Sequence, residues 1–368
     1  MSKHHSDNER IKRKYFIFLK EAKRQHESSI DGVAKAISRF ECYTKYRDFK
    51  SFHFQQAVGF KKHLTQQHNQ KTDKPLSKAT LHSALTHLKS FFQWLAMQSG
   101  YKSRISYTDT EYFNLSEKEV SIATAKRETP VPTLEQIELV IKTMPAQTDI
   151  ERRDRALIAF ILSTGARDSA VASMKLKHVD LSAGCVHQDA REVRTKFSKT
   201  FDTTFFPVSD EIRQIVEDWV NHLKTELLFG NDDPLFPKTK VINGVSKKFE
   251  ACGFKKEHWK NATPIRTIFK KAFKAAGLPY YNPHSFRKTL TNLGEKICRT
   301  PEEFKAWSQS LGHESVMTTF CSYGNVRPER QREIFQELNN KPNSAPIANN
   351  DVDAIAEAIV KKLQKTIS

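Results

Sequence analysis

Two arginines, two histidines, a tyrosine and a pair of lysines stand out by type and spacing. Arg167 follows Thr164-Gly165-Ala166, directly after the apolar stretch 155–163. Gly165 can end a helix there and Arg167 can begin the next turn. Rigid backbone then holds a guanidinium that can offer a bidentate fork to a phosphate. His284 and Arg287 stand three apart behind Asn282-Pro283. That spacing puts both on the first turn of a helix, pointing the same way, where the helix N-terminus also favours an anion. Phe286 between them is expected to pack inward. Leu311-Gly312-His313 sets a histidine beside a sharp turn, and Tyr323 follows in Phe320-Cys321-Ser322-Tyr323-Gly324. Taken singly, each has a bland reading: an arginine paired with a carboxylate, a turn histidine, a core tyrosine.

Taken together, in this order, these groups resemble the catalytic site of the tyrosine recombinases, the phage integrase family, and elementary chemistry agrees with the roles that this resemblance implies. A phosphodiester attacked in line passes through a dianionic pentavalent state, which two guanidinium forks and a histidine donor can stabilise. A tyrosine, with a pKa of about 10, needs its proton taken and its oxyanion supported by cations. The leaving alkoxide needs an acid, and a lysine with cationic neighbours can serve. A covalent phosphotyrosine keeps the energy of the diester, so religation needs no ATP. The sequence has no GxxxxGK[ST] phosphate loop, which agrees.

The ordered set resembles the catalytic domain of the tyrosine recombinases, the phage integrase family. It runs TGAR, a Lys-bearing hairpin, HSFR, LGHxxxxTT and Tyr, over roughly residues 127–336. The resemblance implies that Arg167 and Arg287 clamp the scissile phosphate and that His313 is a third phosphate ligand. It implies that His284 helps take the proton from the nucleophile Tyr323, which forms a 3′-phosphotyrosyl link. A hairpin lysine is implied as general acid on the leaving 5′-oxygen. Lys196, in Arg194-Thr195-Lys196, and Lys199, eight residues before Pro207, both qualify; the local pattern favours Lys196. Three features depart from the family pattern. Ala170 stands where an acidic residue is common, and Asp168 is expected to point elsewhere. The interval from His313 to Tyr323 is one residue longer than the common form. The tail 339–368 is longer than a minimal recombinase needs, and a helix there could pack on a neighbouring subunit or cap its own domain.

Elements able to hold these residues follow from periodicity. Apolar residues at spacings of three and four predict helices over 10–26, 31–43, 53–68 and 77–98, the last N-capped by Ser77. These make a small helical domain over 10–108, which resembles the family's SAM-like core-binding domain. Residues 109–130 read as a polar linker ending at Pro130 and Pro132. The catalytic domain is expected over 131–338. It has helices from Thr133, over 151–163, 170–178, 209–228, 264–276, 284–298 and 301–312. A hairpin or three-stranded sheet is expected in 184–208. The segment 339–350 is Asn/Pro-rich and reads as flexible, and 351–366 as an amphipathic helix. The fold class is mainly α with a small β-sheet: a helical domain plus a mixed α+β catalytic domain.

Composition narrows the partners. The chain has 368 residues and a net charge of +18. Residues 1–108 hold 21 Lys/Arg against 8 Asp/Glu and carry +13 of it. A basic domain of this kind meets a polyanion, most simply nucleic acid, and Lys61, Lys62, Lys71, Lys74, Lys78 and Lys89 suit phosphates. No run of about 18 apolar residues exists, and the charged N-terminus lacks a signal-peptide h-region. Cys42, Cys185, Cys252, Cys298 and Cys321 are odd in number and lack CxxC spacing, which argues against disulfides and a structural zinc site. The expectation is a cytoplasmic enzyme, nucleoid-associated when bound to DNA, without cofactor or metal. It is expected to act as a homotetramer on double-stranded DNA carrying a specific recombination site, with room for a DNA-bending accessory protein whose need the sequence does not reveal. The sequence leaves phage integration, mobile-element transfer and chromosome resolution all open as the biological event. A type IB topoisomerase shares the same chemistry, and a DNA-binding accessory protein that has lost catalysis is the reading from another class.

Overall fold

The computed structural model describes residues 4–69, 73–125, 130–243, 249–313, 332, 333 and 336. The chain divides into two compact units, Met1–Arg127 and Glu128–Ser368. The expected helix over 351–366, the tail 339–350 and Lys71 lie outside the described residues.

The first unit is helical. Helices α1 (Ser6–Ile17), α2 (Glu27–Tyr43), α3 (Phe54–Thr65) and α4 (Lys78–Leu95) match the periodic stretches. The Ser77 side chain caps α4 by accepting from the Thr80 amide. The core is aromatic: Phe40, Phe60, Phe91 and Phe92 are fully buried, and Phe52 stacks on Phe92 with centroids 3.9 Å apart. Offset and edge-to-face ring pairs of this kind add to the gain from burial.

The expected linker is in large part folded. A 3₁₀ segment, Thr108–Phe113, and helix α5 (Glu117–Thr124) belong to the first unit. Phe113 is 1% exposed and sits against Phe40, Phe52 and Phe92. One such buried ring contributes about 2–3 kcal/mol, enough to fix a segment without helical periodicity. The same segment engages three of the lysines expected to face phosphates. Lys61 donates to the Asn114 carbonyl, Lys78 pairs with Glu119 at 2.9 Å and Lys89 with Glu111 at 2.7 Å. Lys62 and Lys74 are exposed.

The second unit is built around α7 (Asp149–Thr164), which is buried from Ala156 to Thr164. It is preceded by α6 (Leu134–Thr143), which starts at Thr133 with a capping box between Thr133 and Gln136. A single turn, α8 (Asp168–Val171), follows α7. The expected helix over 170–178 stops there, because main chain and side chains find other partners. The Ser173 hydroxyl donates back to the Ala170 carbonyl and accepts from the Arg194 amide, while the Leu176 amide donates to the Asp233 carbonyl. Strands β1 (Val179–Asp180), β2 (Cys185–Gln188) and β3 (Phe201–Thr204) form an antiparallel sheet in that order. Its first strand precedes the segment expected to hold it.

Helix α9 (Asp210–Thr225) leads to a hairpin the periodicity did not predict, β4 (Lys238–Asn243) with β5 (Phe249–Lys255). Arg153 of α7 anchors it. The buried guanidinium donates to the Pro237 carbonyl and the Thr239 hydroxyl, and lies 5.2 Å from the ring centroids of Phe254 and Trp259. Helices α10 (Thr263–Ala275), α11 (Pro283–Ile297) and α12 (Pro301–Ser310) complete the unit.

Candidate active site

Three of the sequence motifs meet at one side chain. Arg287 is 4% exposed. Its guanidinium donates to the Gly165 carbonyl at the end of α7 and to the Leu311 carbonyl at the end of α12, both at 2.5 Å. One arginine of α11 thus ties together the ends of two other helices. Gly165 makes this approach possible. Its φ is +58°, and a Cβ there would lie 2.9 Å from Leu311 Cδ2, so neither the turn nor the packing admits a side chain. Thr164 supports the turn by accepting from the Ala166 amide.

Helix α11 starts as the sequence predicts. Asn282 caps it by accepting from the Ser285 amide, and Pro283 occupies the first turn. Phe286 turns inward and packs on Phe269 at 5.0 Å. His284 lies on the same turn as Arg287, with part of its ring open to solvent and part covered.

The hairpin reaches the same place through β3. Thr203 Oγ1 donates to the Ser310 carbonyl, and Ser310 Oγ exchanges hydrogen bonds with the Thr204 main chain at 2.9 and 3.1 Å. Phe201 lies directly on Gly312. These contacts dock the strand against the start of Leu311-Gly312-His313. No motif marked them, although Phe201 and Thr203 share one face of β3 by the period-two rule.

Electrostatics shows which groups are neighbours. Burial, and then the charge of Arg167, push the Arg287 guanidinium down to about 9. Burial lowers Arg167 as well. His313 is pushed down to about 4, by burial first and then by Arg287, Arg167, His284 and Lys199. His284 is lowered by burial, Arg287, Arg167 and Lys288, against the pull of Asp168. Arg167, Arg287, His284, His313 and Lys199 therefore share one field. Lys196 is exposed and lies 4.7 Å from the ring of Phe197, whereas Lys199 is half-buried.

Among the described residues, neither arginine has a carboxylate within ion-pair distance. Asp168, the nearest in sequence, is engaged with Arg266 Nε at 2.7 Å, as its expected direction required. Ala170 is buried. The result is a cationic cluster whose members depress one another's protonation and whose two arginines, among the described residues, have no carboxylate partner. An incoming phosphate would relieve that strain on every member. Arg194 in the Arg194-Thr195-Lys196 pattern is not part of the cluster; its guanidinium donates to the carbonyls of Ala172, Trp259 and Lys260. Tyr323 lies outside the described residues.

No helix among the described residues is long and apolar enough to cross a membrane. The model of the phage integrase family matches residues 131–330, more than half of the chain. The chain is 22% identical over 330 residues to tyrosine recombinase XerC of Halalkalibacterium halodurans, covering 88% of this chain and 94% of that protein. It is 23% identical over 252 residues to XerC of Lactobacillus delbrueckii, covering 67% and 72%. Among solved structures, the XerH site-specific recombinase bound to palindromic difH substrate matches with a TM-score of 0.58 and 20% identity. That match covers 83% of this chain and 78% of that one. A lambda integrase dimer bound to a COC′ core site matches with a TM-score of 0.58 and 11% identity, covering 92% and 99%. The motifs, the fold that gathers them and the family match agree: this chain belongs to the phage integrase family, the tyrosine recombinases.

Proposed function

We propose that this protein is a site-specific DNA recombinase that cuts and rejoins double-stranded DNA through a 3′-phosphotyrosyl intermediate. The observation that carries the reading is the cluster around Arg287: five cationic or ionisable donors, two of them arginines without a carboxylate partner among the described residues. In this reading Arg167 and Arg287 hold the non-bridging oxygens of the scissile phosphate, and His313 adds a third donor. The Tyr323 oxygen attacks phosphorus and His284 takes its proton. The P–O5′ bond breaks, and the leaving 5′-oxygen takes a proton from a lysine. We assign that acid to Lys199, because Lys199 is half-buried and its charge acts on His313, whereas Lys196, which the sequence pattern favours, is exposed. Reversal with a different 5′-hydroxyl completes strand exchange. The basic first unit supplies salt-sensitive DNA contact. The working assembly is a homotetramer on two duplexes. A DNA-bending accessory protein is compatible with this reading, and a free cytoplasmic pool exchanging with the nucleoid follows from it.

The test is a nicked suicide duplex carrying the cognate site, taken from DNA flanking the gene or selected from random DNA. A covalent protein–DNA band is expected with the wild type and not with Tyr323→Phe, and Arg287→Ala should lose it too. A band of undiminished strength in Tyr323→Phe would remove the tyrosyl mechanism. Absence of a band on DNA shown to bind specifically would leave a DNA-binding accessory protein. Relaxation of supercoiled DNA without sequence preference would instead favour a type IB topoisomerase.

A further inference from the structure

The β-sheet of the second unit carries a second cluster on its outer face, sharing no residue with the arginine cluster. Register places it. Asp180 of β1 pairs with Cys185 of β2. His187 lies two residues on, so it shares a face with Cys185 while Val186 and Gln188 turn into the core. Asp180, Cys185 and His187 each offer one ligand atom, and these three atoms lie within 4.8 Å of one another.

The geometry within the cluster fits a tetrahedral metal centre. Cys185 Sγ and His187 Nε2 are 3.7 Å apart. In a tetrahedral centre with metal–sulfur and metal–nitrogen bonds of about 2.3 and 2.0 Å, that edge is about 3.5 Å. The other ring nitrogen, Nδ1, lies 2.8 Å from Asp202 Oδ1 on the facing strand β3. A carboxylate there fixes the ring and leaves Nε2 to face Cys185. It is the outer-sphere partner that metal-binding histidines commonly have. Asp180 is held as well. Its Oδ1 accepts from the Ser182 hydroxyl at 2.6 Å and from the Ala183 amide at 2.9 Å. Asp180 and Cys185 are half-buried and His187 is exposed, so an ion can enter from solvent.

We propose that Asp180, Cys185 and His187 bind one zinc-class divalent ion, with Asp202 orienting His187 and water in the fourth position. Sulfur and imidazole select zinc, cobalt or copper over magnesium and calcium. On binding, the Cys185 thiol gives its proton to solvent and the thiolate coordinates the ion. The ion joins β1 to β2 directly and reaches β3 through Asp202. It would brace the sheet that presents Phe201 to Gly312. A search for CxxC does not find such a site, because its ligands are a C-x-H pair on one strand and an aspartate across a turn.

Titration of the full-length protein with Co²⁺ under reducing conditions tests the assignment. The wild type should show a thiolate-to-cobalt charge-transfer band that saturates at one equivalent and is displaced by Zn²⁺. Cys185→Ser should lose the band. Asp202→Asn keeps all three ligands and should weaken Zn²⁺ binding by about 10–100-fold. The melting temperature of the wild type should rise with Zn²⁺ and that of Cys185→Ser should not; matching circular dichroism confirms that the variants fold. No band in the wild type, or an undiminished band in Cys185→Ser carried by other thiols, would overturn the proposal. An Asp202→Asn affinity equal to wild type would remove Asp202 from it.

Discussion

A Cβ on residue 312 would lie 2.4 Å from Cε2 of Phe201, so the ring of Phe201 fills space that only glycine leaves open at that position. Gly312 precedes His313, and Phe201 lies two residues after Lys199. One ring-to-backbone contact therefore sets the strand that follows Lys199 against the turn that holds His313.

Gly312→Ala should accordingly impair both stability and cleavage. The φ of Gly312 is +68°, where a side chain costs about 1–2 kcal/mol. Displacing Phe201 adds overpacking strain of about 1–3 kcal/mol. Urea unfolding should show a loss of about 2–5 kcal/mol on these grounds, and covalent-complex formation should fall with it. Adding Phe201→Ala to Gly312→Ala removes the clash but not the backbone cost. The pair should be non-additive by about 1 kcal/mol or more. Strict additivity would show that the two residues do not meet.

The lysine assignment is tested by leaving-group chemistry. Loss of a general acid costs about 10²–10⁴ in rate, so Lys199→Ala should cut cleavage by that range while Lys196→Ala stays near wild type. A substrate with sulfur at the 5′-bridging position leaves as a thiolate and needs no acid. It should restore Lys199→Ala to near wild-type rates. A deficit that follows Lys196→Ala, with sulfur rescue there, would move the role to Lys196.

Local signals made much of this fold legible. Gly165 closes α7 with a positive φ, Asn282-Pro283 opens α11, and the aromatic stripes of the first unit predict its core helices. Contacts between distant segments were not legible. Nothing near Phe201 announces a partner 111 residues away at Gly312, and Phe113 carries no periodicity to show that residues 108–124 fold back. The sequence pattern around Lys196 does not show how its neighbours are engaged. Arg194 spends its guanidinium on three carbonyls and Phe197 turns outward, 79% exposed with a φ of +59°. The β4–β5 hairpin was missed because Arg153, a charged residue in an apolar helix, is what holds it.

Arg153 gives a stability prediction separate from catalysis. Its side chain is 5% exposed and pairs with Asp154 at 2.6 Å, besides its bonds to Pro237 and Thr239. Burial already pushes the Asp154 carboxyl up, against the pull of Arg153. Removing one partner of a buried pair costs about 3–5 kcal/mol, so Arg153→Ala should lose that much in urea unfolding. Arg153→Met keeps apolar contact with Phe254 and Trp259 and should lose less. Hydrogen exchange should speed up in β4 and β5 before it does in α11. Uniform acceleration would show that Arg153 does not anchor the hairpin specifically.

The last prediction concerns His313, which sits at about 4 against an ordinary value of 6.5. Between those values the unfolded chain binds a proton that the folded protein does not. The folded state is therefore at full strength above pH 6.5 and loses stability as pH falls towards 4. The ceiling is about 3 kcal/mol, at about 1.4 kcal/mol per pKa unit, and solvent access to the half-buried ring brings it lower. His313→Gln should remove this component: the stability gap between wild type and variant should shift against the wild type as pH drops from 7 to 4. Parallel curves would show that His313 is not depressed. A bound phosphate supplies the negative charge that Arg287 and Arg167 lack, so it should raise His313 and draw a proton onto it. Calorimetry at pH 5.5 in buffers of different ionisation enthalpy should then detect proton uptake on DNA binding by the wild type. That uptake should shrink in His313→Gln. Equal uptake in both would place the proton on another group, with His284 the next to test.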